Sequence, residues 1–135
     1  MMERYQLSIE SHTLLESLSQ PFALCRLTEG RFVPIVLSDG FCRLFGYPER
    51  ARAYDDLAAD LLKNVHPDDA ARVGSAAARF AEAGGTLETV CRARKKDGYF
   101  TVRVTGEHVL SDDGVRLAQF WFSAEEAIVP EEQSA

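Results

Sequence analysis

Three β-rich runs in the last third of the chain constrain the fold most strongly. They are TLETVCRARK, YFTVRVTGEHVL and VRLAQFWFS, and the pairs Asp97-Gly98 and Asp113-Gly114 separate them. An Asp-Gly pair between two alternating runs is one of the strongest short-range signals for a β-hairpin. The three runs are therefore predicted to form an antiparallel meander.

Two shorter β-rich runs lie nearer the N-terminus. They are FALCRL (Phe22–Leu27) and RFVPIVLS (Arg31–Ser38), with Gly30 in the turn between them. Pro34 falls inside the second run. Because proline has no N–H to donate to a β-ladder, a strand that contains it is predicted to lie at a sheet edge.

The remaining segments show helical patterns. Met2–Ser19 reads as an amphipathic helix with four leucines near one stripe: Leu7, Leu14, Leu15 and Leu18. Asp39–Asn64 reads as short helical pieces, and a longer helix is predicted from about Pro67 to Ala83. Five strands with these helices predict an α+β domain whose helices cover one face of an antiparallel sheet.

Composition narrows the class of partner and the compartment. The length of 135 residues fits one domain, and a net charge of −6 argues against nucleic acid or an anionic membrane as partner. We find neither a secretory signal nor an apolar run of the roughly 20 residues that a membrane span needs. Cys25, Cys42 and Cys91 are widely spaced without a CxxC pair, which favours buried thiols in a cytoplasmic protein.

The stretch KNVHPDDAARV raises the question of a metal or acid–base site. Pro67 suits the first position of a helix, and Asp68 and Asp69 then lie in its first turn, where carboxylates accept free backbone N–H bonds. His66 would precede the helix and bond to nearby backbone. A capping role is therefore favoured over metal binding or catalysis. On typical cap values, Asp69→Ala is expected to lower stability by about 1 kcal/mol.

Three motifs in this order resemble the PAS domain family, over roughly Leu14 to Ala124. LSDGFCRLFGY is similar to the family pattern N-x-x-F-x-x-x-x-G-Y, with Phe41, Gly46 and Tyr47 in place and Ser38 where an Asn is common. VHPDDAARV resembles the start of the family's long helix. RARKKDGYFTVRV resembles the hairpin between its third and fourth strands.

The resemblance implies a five-stranded antiparallel sheet of order 2-1-5-4-3, with short helices and one longer helix on one face. It divides the chain into a flanking helix (1–20), a PAS domain (21–124) and a linker or disordered tail (125–135). It implies a non-catalytic sensory module that binds a small ligand or a partner domain and signals to an output domain outside this chain. LSDGFCRLFGY and GEHV…DDGVRLA most resemble modules fused to GGDEF diguanylate cyclases; a histidine kinase is the other output considered.

The resemblance also permits a test for cofactors. Flavin-binding LOV domains need a reactive cysteine on a later helix than the one that contains Cys42, and the next cysteine, Cys91, falls on a predicted strand. One haem-binding type needs a histidine in the long helix, and none lies between Asp68 and Gly84. We therefore predict no cofactor, no metal and no catalytic residue. Candidate linings of a ligand pocket are Leu37, Phe41, Phe45, Cys91, His108, Gln119 and Trp121. Core packing is the favoured role of the apolar ones.

Partners and rival functions follow from the same patterns. The leucines of the opening helix are too many for one short exposed element, which predicts a homodimer through this helix and the sheet; the alternative is that the helix covers only its own sheet. A ligand-free PAS module for protein–protein interaction is the second hypothesis. The third is a small cone-shaped α+β enzyme, which needs an Asp/His or Tyr/Asp pair in an apolar pocket. Its candidate carboxylates, Asp39, Asp97 and Asp113, lie instead at predicted turns and helix starts, where solvated or capping roles suffice.

Overall fold

The structure is a computed structural model that describes residues 8–95, 97–110 and 114–125. These residues form four helices and five strands. In chain order the elements are α1 (Ile9–Glu16), β1 (Phe22–Thr28), β2 (Arg31–Leu37), α2 (Asp39–Leu44), α3 (Arg50–Ala59), α4 (Pro67–Ala83), β3 (Thr86–Lys95), β4 (Gly98–Leu110) and β5 (Arg116–Ala124).

The five strands form one sheet of order β2-β1-β5-β4-β3, in which every neighbouring pair is antiparallel. This confirms the predicted fold class, the strand order and the meander of the last three strands. Lys95 pairs with Gly98 at the β3–β4 turn, and Gly114 has a φ of +84° before β5. The other half of the second predicted turn pair, Asp113, lies outside the described residues.

The edge position of β2 agrees with the chemistry of Pro34. Pro34 pairs with Cys25 beside an irregularity in the register, so the missing N–H falls where the ladder is already interrupted. The turn from β1 to β2 consists of Glu29 and Gly30, which have positive φ angles of 52° and 75°. Two such residues in succession suit the twist of a two-residue hairpin.

Helices α2, α3 and α4 cover one face of the sheet, and α1 packs on the opposite face. Half-buried Leu15 and Leu18 contact a buried cluster there, which consists of Phe22, Leu24, Val36 and Leu117. Leu14 is 66% exposed, so the prediction that it shares a stripe with Leu15 and Leu18 is wrong. The helix also ends earlier than the predicted Ser19: α1 ends at Glu16, with Ser17 as its C-cap, so helical spacing does not relate Leu14 to Leu18.

The junction between α1, β1 and α2 depends on one buried serine. The Oγ of Ser38 accepts hydrogen bonds from the N–H groups of Phe22 and Phe41, each at 3.0 Å, and donates to the carbonyl of Gln20 at 2.7 Å. Ser38 therefore caps α2 and also binds the first residue of β1. The next contact along this junction is made by Gly40, whose N–H donates to Leu18 O at 3.0 Å.

The start of α4 partly follows the prediction. His66 is the N-cap, and its Nδ1 accepts the N–H of Asp68 at 3.0 Å. Asp69 differs, because its carboxylate bonds to Arg92 of β3 instead of capping its own helix. Within the described ranges, no group of three or more His, Cys, Asp or Glu side chains is placed to hold a metal ion.

The last strand ends at Ala124, and the residue after it contacts β4. Glu125, assigned by sequence to the tail, donates its N–H to Thr101 O at 2.9 Å and accepts from Arg103 Nε at 2.7 Å. The rest of the predicted tail, residues 126–135, lies outside the described residues, as do residues 1–7 of the predicted opening helix.

Candidate functional site

An apolar cavity of about 100 Å³ lies between the inner face of the sheet and helices α2–α4. The strands contribute the larger part of its wall, and the helices and the segment after α3 close it. Its lining consists of Ala23, Cys25, Phe32, Phe41, Phe45, Leu57, Leu61, Leu62, Asn64, Val65, Val73, Ala77, Leu87, Thr89, Cys91, Ala93, Val102, Val104, Phe120 and Phe122.

Strand alternation explains which residues reach the cavity. Ala23 and Cys25 face inward from β1, and Phe120 and Phe122 face inward from β5, since side chains two residues apart share a face. The small side chains of Ala23, Ala77 and Ala93 extend little toward the centre. Larger residues at these positions would occupy space that is now empty.

One side of the cavity is a cluster of phenylalanine rings. The ring of Phe41 lies 4.6 Å from that of Phe45 and 5.2 Å from that of Phe122, and the Phe45–Phe122 distance is 5.5 Å. The two contacts with Phe122 are edge-to-face, which is a favoured geometry for aromatic pairs. These contacts join α2 to β5 through the wall of the cavity.

Polar groups are few in the described lining. Asn64 and Thr89 are its polar side chains apart from two cysteines, and no lining residue carries a charge. The amide of Asn64 donates to Tyr47 Oη at 3.0 Å, and Tyr47 Oη lies 2.9 Å from Asp56 Oδ2. Burial raises the pKa of Tyr47, so its hydroxyl stays protonated at neutral pH.

Two of the lining residues are thiols. Burial raises the pKa of Cys25 to about 12. Burial also raises the pKa of Cys91, and the nearby charge of Asp69 acts in the same direction. Because the thiolate is the reactive form of cysteine, both groups are poor nucleophiles at neutral pH.

Four of the predicted pocket residues lie at or near the cavity, and a fifth lies on the same face of the sheet. Phe41, Phe45 and Cys91 line the cavity. Leu37 is fully buried in the same core cluster as Phe41 but is not part of the lining. His108 faces the helices, where its Nε2 lies 2.7 Å from Phe80 O, and it too is outside the lining.

The remaining two predicted pocket residues, Gln119 and Trp121, lie on the opposite face of the sheet. The Trp121 ring contacts the Phe22 ring in a tilted arrangement with 4.5 Å between centroids, and Gln119 Nε2 lies 3.5 Å from Glu107 Oε1. The prediction that they line the pocket is wrong, because the register directs Phe120 and Phe122 of β5 inward. Residues at odd positions of this strand therefore face away.

A second depression, the outer groove, adjoins the cavity. It has a volume of about 260 Å³ and lies between the β1–β2 turn, the end of α3 and α4. Its lining consists of Gly30, Arg31, Phe32, Ala59, Asp60, Leu61, Leu62, Gly74, Ala77 and Ala78. Four residues line both spaces and thus form the partition between them: Phe32, Leu61, Leu62 and Ala77. Sequence patterns gave no indication of this groove.

An ionic network joins α1 to the helix side of the domain. Arg50 at the start of α3 donates to Leu37 O at 2.8 Å and pairs with Asp39, and its Nε lies 3.7 Å from Glu16 Oε1. Tyr54 donates to Glu16 Oε2 at 2.8 Å. Burial, followed by the bond to Glu16, raises the pKa of Tyr54. No sequence pattern indicated this network.

The lining residues do not fit a flavin or a haem. A flavin presents a polar ring edge, and the amide of Asn64 is already bonded to Tyr47. The cavity of about 100 Å³ is also below the range of about 300–1,000 Å³ that is usual for pockets of drug-sized ligands. The described histidines nearest the core, His66 and His108, both bond to backbone and do not line the cavity.

The two described carboxylates that were considered for an enzyme, Asp39 and Asp97, do not line the cavity. Asp39 pairs with Arg50, Asp97 lies in the β3–β4 turn, and Asp113 is outside the described residues. None of the described carboxylates lines the cavity. The Asp/His or Tyr/Asp pair that such an enzyme needs in an apolar pocket is therefore not formed by the described lining.

Comparison with known proteins gives a family and a fold. A family model described as the PAS fold matches residues 34–118. The sequence matches no curated protein. In the described part of the chain, none of the helices has the length and hydropathy that a membrane span requires.

Several solved structures are similar. One is a sensory box histidine kinase/response regulator from Burkholderia thailandensis, with 23% identity, a TM-score of 0.58 and coverage of 78% of this chain and 76% of that chain. A second is the PAS domain of a protein from Colwellia psychrerythraea, with 15% identity, a TM-score of 0.58 and coverage of 82% and 92%. A third is a LOV protein from Rhodobacter sphaeroides, with 12% identity, a TM-score of 0.68 and coverage of 87% and 65%. At these identities the likeness concerns the fold alone.

Proposed function

The chain belongs to the PAS family, and from this premise we propose that it is a sensory module that binds a small molecule and signals to an output domain outside these residues. The observation that carries the proposal is the apolar cavity between sheet and helices. A well-formed apolar pocket with few polar groups is the usual site for a small ligand.

The geometry supplies a connection from the cavity to α1. Phe41 lines the cavity and belongs to α2, the helix that also contains Asp39. Asp39 and Glu16 of α1 both pair with Arg50. A ligand that displaces Phe41 would therefore change the contacts that hold α1. Couplings between sites are typically about 1–3 kcal/mol, which is within the energy of a few such contacts.

Native mass spectrometry of freshly purified protein tests ligand binding. We expect a bound species of defined mass that is absent after denaturation. Hydrogen exchange then tests the connection: removal of that ligand should change the exchange of α1 amides in the wild type. The change should be smaller in Glu16→Gln, which weakens the pairing with Arg50 but keeps the size of the side chain. A protein without bound ligand, whose α1 exchange responds to no added compound, would contradict the proposal.

A second candidate is a protein-binding role through a homodimer. Its support is the exposure of Ile9 at 83% and of Leu14 at 66% on α1, together with Trp121 at 37% on the outer face of the sheet. Exposed apolar side chains of this size mark interaction surfaces when they are contiguous. We propose that a second copy of the chain covers α1 and the neighbouring sheet.

Light scattering over a range of concentrations tests the dimer. Leu14→Glu should shift the protein toward monomer. Thr13→Glu adds the same charge at the neighbouring exposed position without removing a leucine, and it should leave the dimer intact. A wild type that stays monomeric at high micromolar concentration, with no response to Leu14→Glu, would exclude this candidate.

The proposal also covers the kind of output domain and the cellular compartment. A histidine kinase and a diguanylate cyclase are the two outputs considered, and the domain itself is proposed to be non-catalytic. A cytoplasmic location fits three buried cysteines that are all free thiols. Sequencing the gene on both sides of the region that encodes these residues tests whether an output domain belongs to the same chain.

A further inference from the structure

We propose that the cavity binds an uncharged apolar molecule with the size of about one six-membered ring, and that this molecule passes through the outer groove. The inference rests on the proposed function, because it names the ligand class of the same site. It is carried by the volume and lining of the cavity, and by the partition that the cavity shares with the groove.

The volume of the cavity is close to that of an apolar cavity with known ligands. An engineered apolar cavity of about 150 Å³ stays dry and binds benzene. The present cavity has a volume of about 100 Å³ and is likewise walled by aromatic and aliphatic side chains. Small movements of Leu61 and Leu62 at the partition would enlarge it toward the volume that one ring needs. A three-ring system would require much larger displacements of the packed sheet.

The uncharged lining disfavours ionised ligands of the same size. No charged side chain lines the described cavity, and the amide of Asn64 is directed to Tyr47. An ionised group placed there would lose its hydration without gaining a partner, which is strongly unfavourable. Benzene and benzoate therefore differ sharply in their expected affinity.

The segment between α3 and α4 lies on the route from the outer groove to the cavity. Leu61 and Leu62 separate cavity and groove, and this segment is held by turn bonds such as Lys63 N to Asp60 O at 3.0 Å. Gly74 of α4 faces Leu62, whose Cδ1 would lie 3.3 Å from a Cβ at that position. The absence of a side chain at Gly74 leaves Leu62 space to move aside.

Titration of the wild type with benzene tests the ligand class. At a concentration tenfold above its Kd, benzene should raise the Tm by about 5 °C. It should also shift the NMR signals of Phe41, Phe45 and Phe122. Benzoate at the same concentration should do neither. A wild type that benzene neither stabilises nor perturbs would overturn the inference, and equal effects of benzene and benzoate would overturn the exclusion of charge.

A pair of variants tests the location. Ala77→Leu adds a branched side chain at the partition and should weaken benzene binding at least tenfold. Leucine has a high helix propensity, so α4 should still form. Ala71→Leu makes the same change at an exposed position of α4 outside both spaces, and should bind like the wild type. Ala78→Leu narrows the groove alone, and should slow binding without a matching loss of affinity. A folded Ala77→Leu protein with unchanged affinity would overturn the location.

Native mass spectrometry and the benzene titration together distinguish a wrong ligand class from a wrong proposed function. If native mass spectrometry finds a charged or polar ligand while benzene has no effect, the sensory role stands and the ligand class is wrong. If neither a native ligand nor benzene binds, both are wrong, and the protein-binding candidate remains.

Discussion

Asp69 of α4 accepts three hydrogen bonds from Arg92 of β3: from the main-chain N–H at 2.8 Å, from Nε at 3.1 Å and from Nη2 at 2.8 Å. The carboxylate is largely buried, and the arginine closes around it from the sheet. A residue that the sequence assigned to the cap of a helix therefore ties the long helix to the sheet, next to Cys91 of the cavity wall.

Replacement of Asp69 should cost more than the loss of a cap. Asp69→Ala leaves the N–H of Arg92 without its partner, which typically costs about 1–3 kcal/mol. Asp68→Ala, at the exposed neighbouring position, is the matched control and should cost less than about 1 kcal/mol. Urea denaturation measures both. Equal effects would show that Asp69 acts only through the helix terminus.

The same pair should make stability depend on pH. The side-chain bonds from Arg92, followed by its backbone N–H, hold the pKa of Asp69 far below its usual range. A lowered pKa stabilises the folded state fully above the unfolded-state pKa of about 3.9, and this contribution is lost as the pH falls below that value. The difference in unfolding free energy between wild type and Asp69→Asn should therefore shrink from pH 5 toward about pH 2. A constant difference would contradict this origin.

Loss of the Ser38 hydroxyl should be more costly than loss of an exposed helix cap. Ser38→Ala leaves the N–H of Phe22 and the carbonyl of Gln20 without their buried partner, at a cost of about 2–3 kcal/mol. Ser8 caps α1 in solvent through a 3.1 Å bond from Ser11 N, and Ser8→Ala should cost about 1 kcal/mol or less. Thermal unfolding of the two variants distinguishes the roles. Similar losses would mean that Ser38 acts as a cap alone.

Two helical glycines should respond in opposite directions to alanine. A Cβ at Gly40 would lie 2.2 Å from Ser19 O, a backbone atom that cannot move alone, so Gly40→Ala should destabilise by about 3 kcal/mol or more. At Gly74 the nearest atom is the end of the Leu62 side chain, at 3.3 Å. Gly74→Ala should therefore stabilise by about 0.5 kcal/mol through helix propensity. A tolerated Gly40→Ala would show that residues 18–20 do not approach α2 this closely.

The three thiols should be nearly inert in the folded protein. Cys25, Cys42 and Cys91 are buried, and burial raises the pKa of each. We expect slow reaction with a disulfide reagent at pH 8 and rapid reaction of all three in denaturant. A rapid phase equal to one thiol in the native protein would indicate an exposed, activated cysteine.

The sequence located the strands and the long helix because their signals are local. Pro34 indicated that β2 is an edge strand. The turns at Gly98 and Gly114 separate strands in which apolar and polar residues alternate. Proline followed by two aspartates marked the start of α4 at Pro67. The family motifs then supplied the strand order, which no local signal contains.

Other features depended on contacts between residues distant in sequence. Which face of β5 turns inward is decided by pairing with β1 and β4, so Phe120 and Phe122 face the cavity while Gln119 and Trp121 do not. Asp69 bonds to Arg92, which lies 23 residues away in sequence, on β3. Hydrophobic periodicity and turn chemistry act over a few residues, so the sequence alone predicts them. The strand register, the partners of buried polar groups and the volume of the cavity are decided only when the sheet and its helices pack together.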